Sequence, residues 1–137
     1  MKIYLHIFLK VVFTLILLFP VLGATGIFPP PTRDLYNTDI AFTFINLLME
    51  TKYINIMMAA VHVVAIVALW TKREALATLL ITPIVANIVG FHAFLDGGLF
   101  TGGAILADIF LLLTIYFLWQ NREQYKVLLQ KAPAPQA

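Results

Sequence analysis

The sequence predicts an all-α integral-membrane protein: a four-helix bundle with a short interfacial helix between its first and second crossings. Composition, the spacing of charges and one apolar run too short to cross carry this reading. Hydrophobic residues make up 61% of the 137-residue chain and charged residues 12%, with a mean hydropathy of +0.92. That is about half the charge of an ordinary soluble domain. Residues 11–32, 53–71 and 75–95 are uncharged, and 97–121 holds one acid, Asp108. Each stretch approaches the roughly 20 apolar residues that a helical crossing needs. A charge near mid-bilayer costs about 2.5–3.5 kcal/mol on insertion scales, so charges mark the ends of spans. Crossings are expected at 3–23, 53–70, 74–95 and 102–120, all within one domain, 1–131. The tail 132–137, Ala-Pro-Ala-Pro-Gln-Ala, is expected to be disordered.

The first crossing opens on a basic residue and runs to Gly23-Ala24. A cleaved signal peptide has the same outline, but Lys10 breaks the apolar run and the uncharged length suits a retained span. The run 40–49 is too short to cross, yet it carries Ile40, Phe42, Phe44, Ile45, Leu47, Leu48 and Met49. With Pro29-Pro30-Pro31 before it and Asn37 or Thr38 to cap it, it reads as a helix over 38–50 at the bilayer surface. Lys2, Lys72, Arg73, Arg122, Lys126 and Lys131 fall on one side of the spans, Arg33 and Lys52 on the other. The excess of basic residues places both termini in the cytoplasm. Tyr4, Trp70, Tyr116 and Trp119 then lie towards the cytoplasmic helix ends, and Tyr36 and Tyr53 towards the outer face.

Ionisable groups inside spans are costly, so each is a candidate functional group. Lys10 stands about two turns into the first helix, where it snorkels to the headgroups or pairs with an acidic headgroup or ligand. His6 shares its face at i, i+4 and reads as interfacial. His62 lies on one face of the second helix with Asn55, Ala59, Ala65 and Leu69, which packs inward. Its imidazole is either a polar contact between helices or a group that handles a proton or ligand.

The third helix holds Thr82-Pro83, Asn87, Gly90 and Phe91-His92. Pro83 removes the donor to the Leu79 carbonyl, which predicts a kink, and Thr78 and Thr82 stand close enough to re-satisfy the loosened backbone. Pro83, Asn87 and Gly90 share one face. Ala86 with Gly90 offers a small-xxx-small contact, so Asn87 is expected to face the bundle. His92 lies about 140° from Asn87 on an ideal helix. The turn Asp96-Gly97-Gly98-Leu99-Phe100-Thr101-Gly102-Gly103 makes helices three and four antiparallel neighbours. A contact between His92 and Asp108 is then open to geometry, the alternative being His92 in the wet interface and Asp108 bonded to another helix.

Other chemistries are excluded or unsupported. With no cysteine, the chain makes no disulfide and ligates no iron–sulfur cluster or haem through thiolate. The three His show no i, i+4 pair, so no metal site is expected. P-loop, GxGxxG and GxSxG motifs are absent, which leaves nucleotide and serine-hydrolase chemistry unsupported. A scattered net charge of +2 does not point to nucleic acid. An enzyme by itself would need His62 or His92 as acid–base residue beside Asp108, and no catalytic set is otherwise formed.

The run Thr82-Pro83-Ile84-Val85-Ala86-Asn87-Ile88-Val89-Gly90-Phe91-His92-Ala93-Phe94-Leu95, the Gly-rich turn and the segment Asn121-Arg122-Glu123-Gln124-Tyr125-Lys126-Val127-Leu128-Leu129 resemble the DoxX-like family of small four-helix bacterial membrane proteins. The family's Pro, Asn, Phe-His and Arg-x-x-Tyr-x-x-Leu map to Pro83, Asn87, Phe91-His92 and Arg122, Tyr125 and Leu128. Its short helix before the second span maps to the segment ending Glu50-Thr51-Lys52-Tyr53, and Lys10 stands where a basic residue often opens the first span. The chain departs from the pattern at 19–26, where many members end the first helix with Gly-x-x-Lys, and at His62, where they carry Glu. The resemblance implies a bundle in the bacterial cytoplasmic membrane. It also implies an accessory or anchor subunit of a membrane oxidoreductase, similar to subunits of quinone-linked enzymes such as thiosulfate:quinone oxidoreductase. Asn87, His92 and Asp108 would line any quinone site, and a partner subunit would dock on the Arg122–Lys131 segment or the outer loop. The other reading is a small oligomeric binder or transporter of lipid, quinone or solute.

Overall fold

The computed structural model describes residues 2–130; the expected disordered tail lies outside them. Six α-helices follow in order: α1 Lys2–Ala24, α2 Asp39–Thr51, α3 Tyr53–Trp70, α4 Glu74–Phe94, α5 Ile105–Gln120 and α6 Arg122–Leu128, with single 3₁₀ turns at Arg33–Leu35 and Gly102–Ala104. No strand occurs among the described residues. Four helices are long and apolar enough to cross a membrane: Ile3–Ala24, Tyr53–Trp70, Glu74–Phe94 and, with its 3₁₀ turn, Gly102–Gln120. They fit a multi-pass membrane protein.

The four long helices pack in the order α1, α3, α4, α5, and α5 closes back on α1. Phe13 of α1 sits at the centre, stacked on Phe117 at 5.1 Å and tilted against Phe110 at 5.6 Å. Ala65 and Ala68 of α3 and Ala77 of α4 are buried beside Leu17, Leu69, Ile81 and Val85. Small residues let the backbones approach, which is how helices associate where lipid offers no hydrophobic contrast. The outward faces carry Val63, Val64, Val67, Leu76, Leu112 and Ile115, all exposed, as a lipid-embedded surface requires. Threonines inside the spans return their hydroxyls to carbonyls of their own helix, Thr14 to Lys10, Thr78 to Glu74, Thr82 to Thr78 and Thr114 to Phe110, each at 2.7–2.8 Å. α4 continues as one helix through Pro83, and neither Thr78 nor Thr82 turns to the Leu79 carbonyl.

α2 starts where its cap dictates. The Thr38 hydroxyl accepts from the Ala41 N–H at 3.1 Å, and Asp39 occupies the first turn, where an acid is favoured by the helix dipole. At its other end Lys52 is at once the last cap of α2 and the first of α3, with φ 59°. A left-handed lysine is a costly way to turn. The chain therefore passes from α2 to the long apolar helix α3 in a single residue. The charge spacing predicts no helix where α6 lies. This helix folds back so that the Tyr125 hydroxyl donates to the Ala75 carbonyl at 2.9 Å, and burial pushes the Tyr125 phenol up.

Candidate functional site

The described structure has two polar centres, one at each end of the bundle, and a groove that belongs to the α2 end. The groove follows from how α4 divides its faces. Ala77, Ile81 and Val85 point into the core and are buried. Pro83, Asn87, Gly90 and Phe94 fall on the far side of the same helix. α2 lies over part of that side, with Phe44 stacked on Phe91 at 5.9 Å between centroids. Two adjoining cavities result, about 640 and about 580 Å³, and both have Phe44, Pro83, Asn87 and Phe91 in their walls. The first extends over Ala86, Gly90, Phe94 and Leu95. The second runs between α2, α3 and α4, lined by Tyr36, Ile45, Leu48, Ile54, Met58, Ile84, Ile88 and His92. Volumes of this size hold small ligands, and an apolar lining with a few polar groups is their usual chemistry.

Asn87 and Gly90 correct the expectation from sequence. Asn87 is exposed and opens onto the groove rather than the bundle, and Ala86 is exposed too. A Cβ built on Gly90 would meet nothing within 4 Å, so the Ala86–Gly90 stripe makes no close helix contact within this chain. The core side of α4 is the stripe of larger apolar residues, and the small and polar residues are left facing out.

His92 lines the cavity, but its partner is local. Its Nδ1 lies 3.0 Å from Oδ2 of Asp96, one turn on. The His92–Asp108 contact that the sequence leaves open does not form. α5 begins only at Ile105, so Asp108 sits in its first turn, partly buried, where the helix dipole favours an acid. By sequence Asp96 is a span boundary beside turn glycines. It is 1% exposed, and its other oxygen accepts from the Asn37 N–H at 2.8 Å while its carbonyl accepts from the Asn37 side chain at 2.9 Å. The Thr38 hydroxyl donates to the Leu95 carbonyl beside it. Gly97 makes this approach feasible: its φ is +85°, and a Cβ there would stand 3.2 Å from that of Asn37. One carboxylate thus joins the cavity wall to the segment that leads into α2. Burial, and then the Asp96 charge, push the nearby Tyr36 phenol up, so it enters the cavity wall as a neutral hydroxyl. A double-mutant cycle checks this pairing. His92→Ala and Asp108→Ala are expected to be additive within about 0.5 kcal/mol, whereas His92→Ala and Asp96→Ala are not.

Neither a family model, nor a curated protein, nor a solved structure matches this chain. The DoxX-like resemblance gains no support from those comparisons.

At the opposite end, Lys10 does not snorkel. Its ammonium donates to Glu74 at 2.7 Å and lies 5.1 Å over the Trp70 ring. His6 joins the same carboxylate, its Nε2 being 3.2 Å from both oxygens. With Nε2 donating, Nδ1 accepts from the Tyr116 hydroxyl at 3.2 Å. His6, read as interfacial, is thus part of the bundle. The ion pair ties α1 to the start of α4 and, through Tyr116, to α5. His62 is fully buried on the inward face expected for it; its Nδ1–H donates to the Met58 carbonyl at 2.7 Å, and its Nε2 is buried without a partner. It lines neither cavity. No group of three metal-ligating side chains occurs among the described residues.

Proposed function

We propose that this protein binds an amphiphilic small molecule of the lipid or quinone class in the groove beneath α2. The observation that carries this reading is the pair of apolar cavities on the outward side of α4, where polar groups, Asn87, His92 and Tyr36, stand among aromatic and aliphatic walls. A groove that faces lipid and ends in polar groups near the end of the bundle suits a molecule with an apolar tail and a polar head. The excess of basic residues at the end that holds the termini supports a cytoplasmic location for both, so the groove would open to the outer leaflet of a bacterial cytoplasmic membrane.

Gly90→Leu provides the test. A Cβ there meets nothing within 4 Å, and leucine is about 1 kcal/mol better than glycine in a helix, so the variant is expected to fold while filling the first cavity. Purified in mild detergent and weighed intact by mass spectrometry, the natural chain is expected to carry a bound lipophile that Gly90→Leu lacks. An identical lipid complement in both would overturn the proposal.

The accessory-subunit reading, with a partner oxidoreductase or a second copy of the chain, is favoured by one observation. α6 and the residue after it leave Val127, Leu128 and Leu129 exposed at the terminal end. A partner recovered at equal amounts from native membranes, and lost on Val127→Asp, would establish it.

A further inference from the structure

Resting on the groove as a binding site, the charge around it says which amphiphiles it takes. We propose that the groove selects uncharged amphiphiles, those with a carbonyl or hydroxyl head, and rejects phosphate-bearing lipids, with His92 and Asn87 meeting the head and the buried Asp96 carboxylate repelling an anion. None of the residues lining either cavity is Lys or Arg. Of the basic residues beside the groove, the Arg33 guanidinium is bonded to Asp39 and to the Tyr36 carbonyl, and Lys52, between the lining residues Leu48 and Ile54, is exposed. The helix N-termini of α2 and α5 do not favour a phosphate, since that of α2 is capped by Thr38 and carries Asp39 and that of α5 carries Asp108; that of α3 has no side-chain cap or acid and puts Ile54 in the second cavity's wall, so it is there that phosphatidic acid would be held if the proposal fails.

An uncharged head is matched instead. Among the described residues the Asn87 amide and the His92 Nε2 have no hydrogen-bond partner, and both residues line the second cavity. The amide offers donors and an acceptor. With Nδ1 held against Asp96, the Nε2 accepts from a hydroxyl when the ring is neutral and donates to a carbonyl when it is protonated. In the protonated state His92 and Asp96 form a neutral pair, so even then no net positive charge is available to an anion. Like charges brought together without water between them cost enough to decide which ligand stays.

The test uses the full chain in phosphatidylcholine nanodiscs doped with trace photoactivatable diacylglycerol, phosphatidic acid of identical acyl chains, or a photoactivatable quinone. Labelling is read by peptide mass spectrometry over 44–58 and 83–92. Diacylglycerol is expected to exceed phosphatidic acid by at least about tenfold, the scale of one unfavourable charge contact. Asp96→Asn, which keeps an acceptor for the Asn37 N–H, is expected to narrow that ratio by raising phosphatidic acid. Asn87→Ala removes an exposed amide with no partner and is expected to lower diacylglycerol labelling. Labelling by the quinone in place of diacylglycerol also supports the proposal and identifies a ring head. Equal labelling by phosphatidic acid, or a ratio unmoved by Asp96→Asn, overturns it while leaving the groove a binding site. No labelling of the groove by any probe overturns the groove reading itself.

Discussion

Lys10→Met is expected to lower the stability of the bundle by about 2–3 kcal/mol, measured as unfolding in detergent or by steric trapping in bicelles. Lys10 and Glu74 are 13% and 19% exposed at their side chains, so removing the ammonium leaves a mostly buried carboxylate with only His6 to face it. Breaking one side of a buried pair typically costs about 3–5 kcal/mol, and the remaining His6 contact and partial exposure reduce that figure here. The double variant Lys10→Met with Glu74→Gln is expected to recover most of the loss, because the stranded charge is gone. A loss of under about 0.5 kcal/mol in the single variant, the value of an exposed surface pair, would show that water screens the site.

Asp96→Ala is expected to release α2. The buried carboxylate receives the Asn37 N–H on one oxygen and the His92 ring on the other, so its removal strands two donors at once, at about 1–3 kcal/mol for each. α2 has few other anchors: Ala41 is its one buried residue, and it is otherwise held by the Asn37 side-chain bond to the Asp96 carbonyl, the Thr38 bond to Leu95, the Asn55 side-chain bond to the Leu48 carbonyl and the Phe44–Phe91 stack. The absence of cysteine from the chain makes the readout direct. Ala41→Cys is expected to react slowly with a maleimide in the natural background and at least about tenfold faster with Asp96→Ala, as local opening exposes it. Equal rates would mean that packing rather than the carboxylate holds the helix.

The crossings were legible because charge is expensive in lipid and apolar length is countable. The same arithmetic isolated 40–49 as a helix too short to cross, which is α2, and Thr38 announced its start. His62 was placed on the inward face by the alanines that recur with it. The partners of charges were not legible. Glu74 and Asp96 were read as the ends of the third span, and their positions there are real, but each also receives a donor from across the molecule: Lys10 lies 64 residues from Glu74, and Asn37 lies 59 from Asp96. The face of Asn87 was misread for a related reason. Small and polar residues mark helix contacts and ligand grooves alike, and only the position of the bulkier stripe, Ile81 and Val85, decides between them.

The most direct test of the groove places the photoreactive residue p-benzoylphenylalanine at Ile45, inside the second cavity, or at Ile115, half-exposed on the outside of α5. After irradiation in native membranes, the adducts are weighed. At Ile115 the mixture of bulk membrane lipids is expected. At Ile45 one dominant lipophile is expected, lost when Asn87→Leu, at an exposed residue in the walls of both cavities, is added. The same bulk mixture at both positions would contradict a selective binding groove.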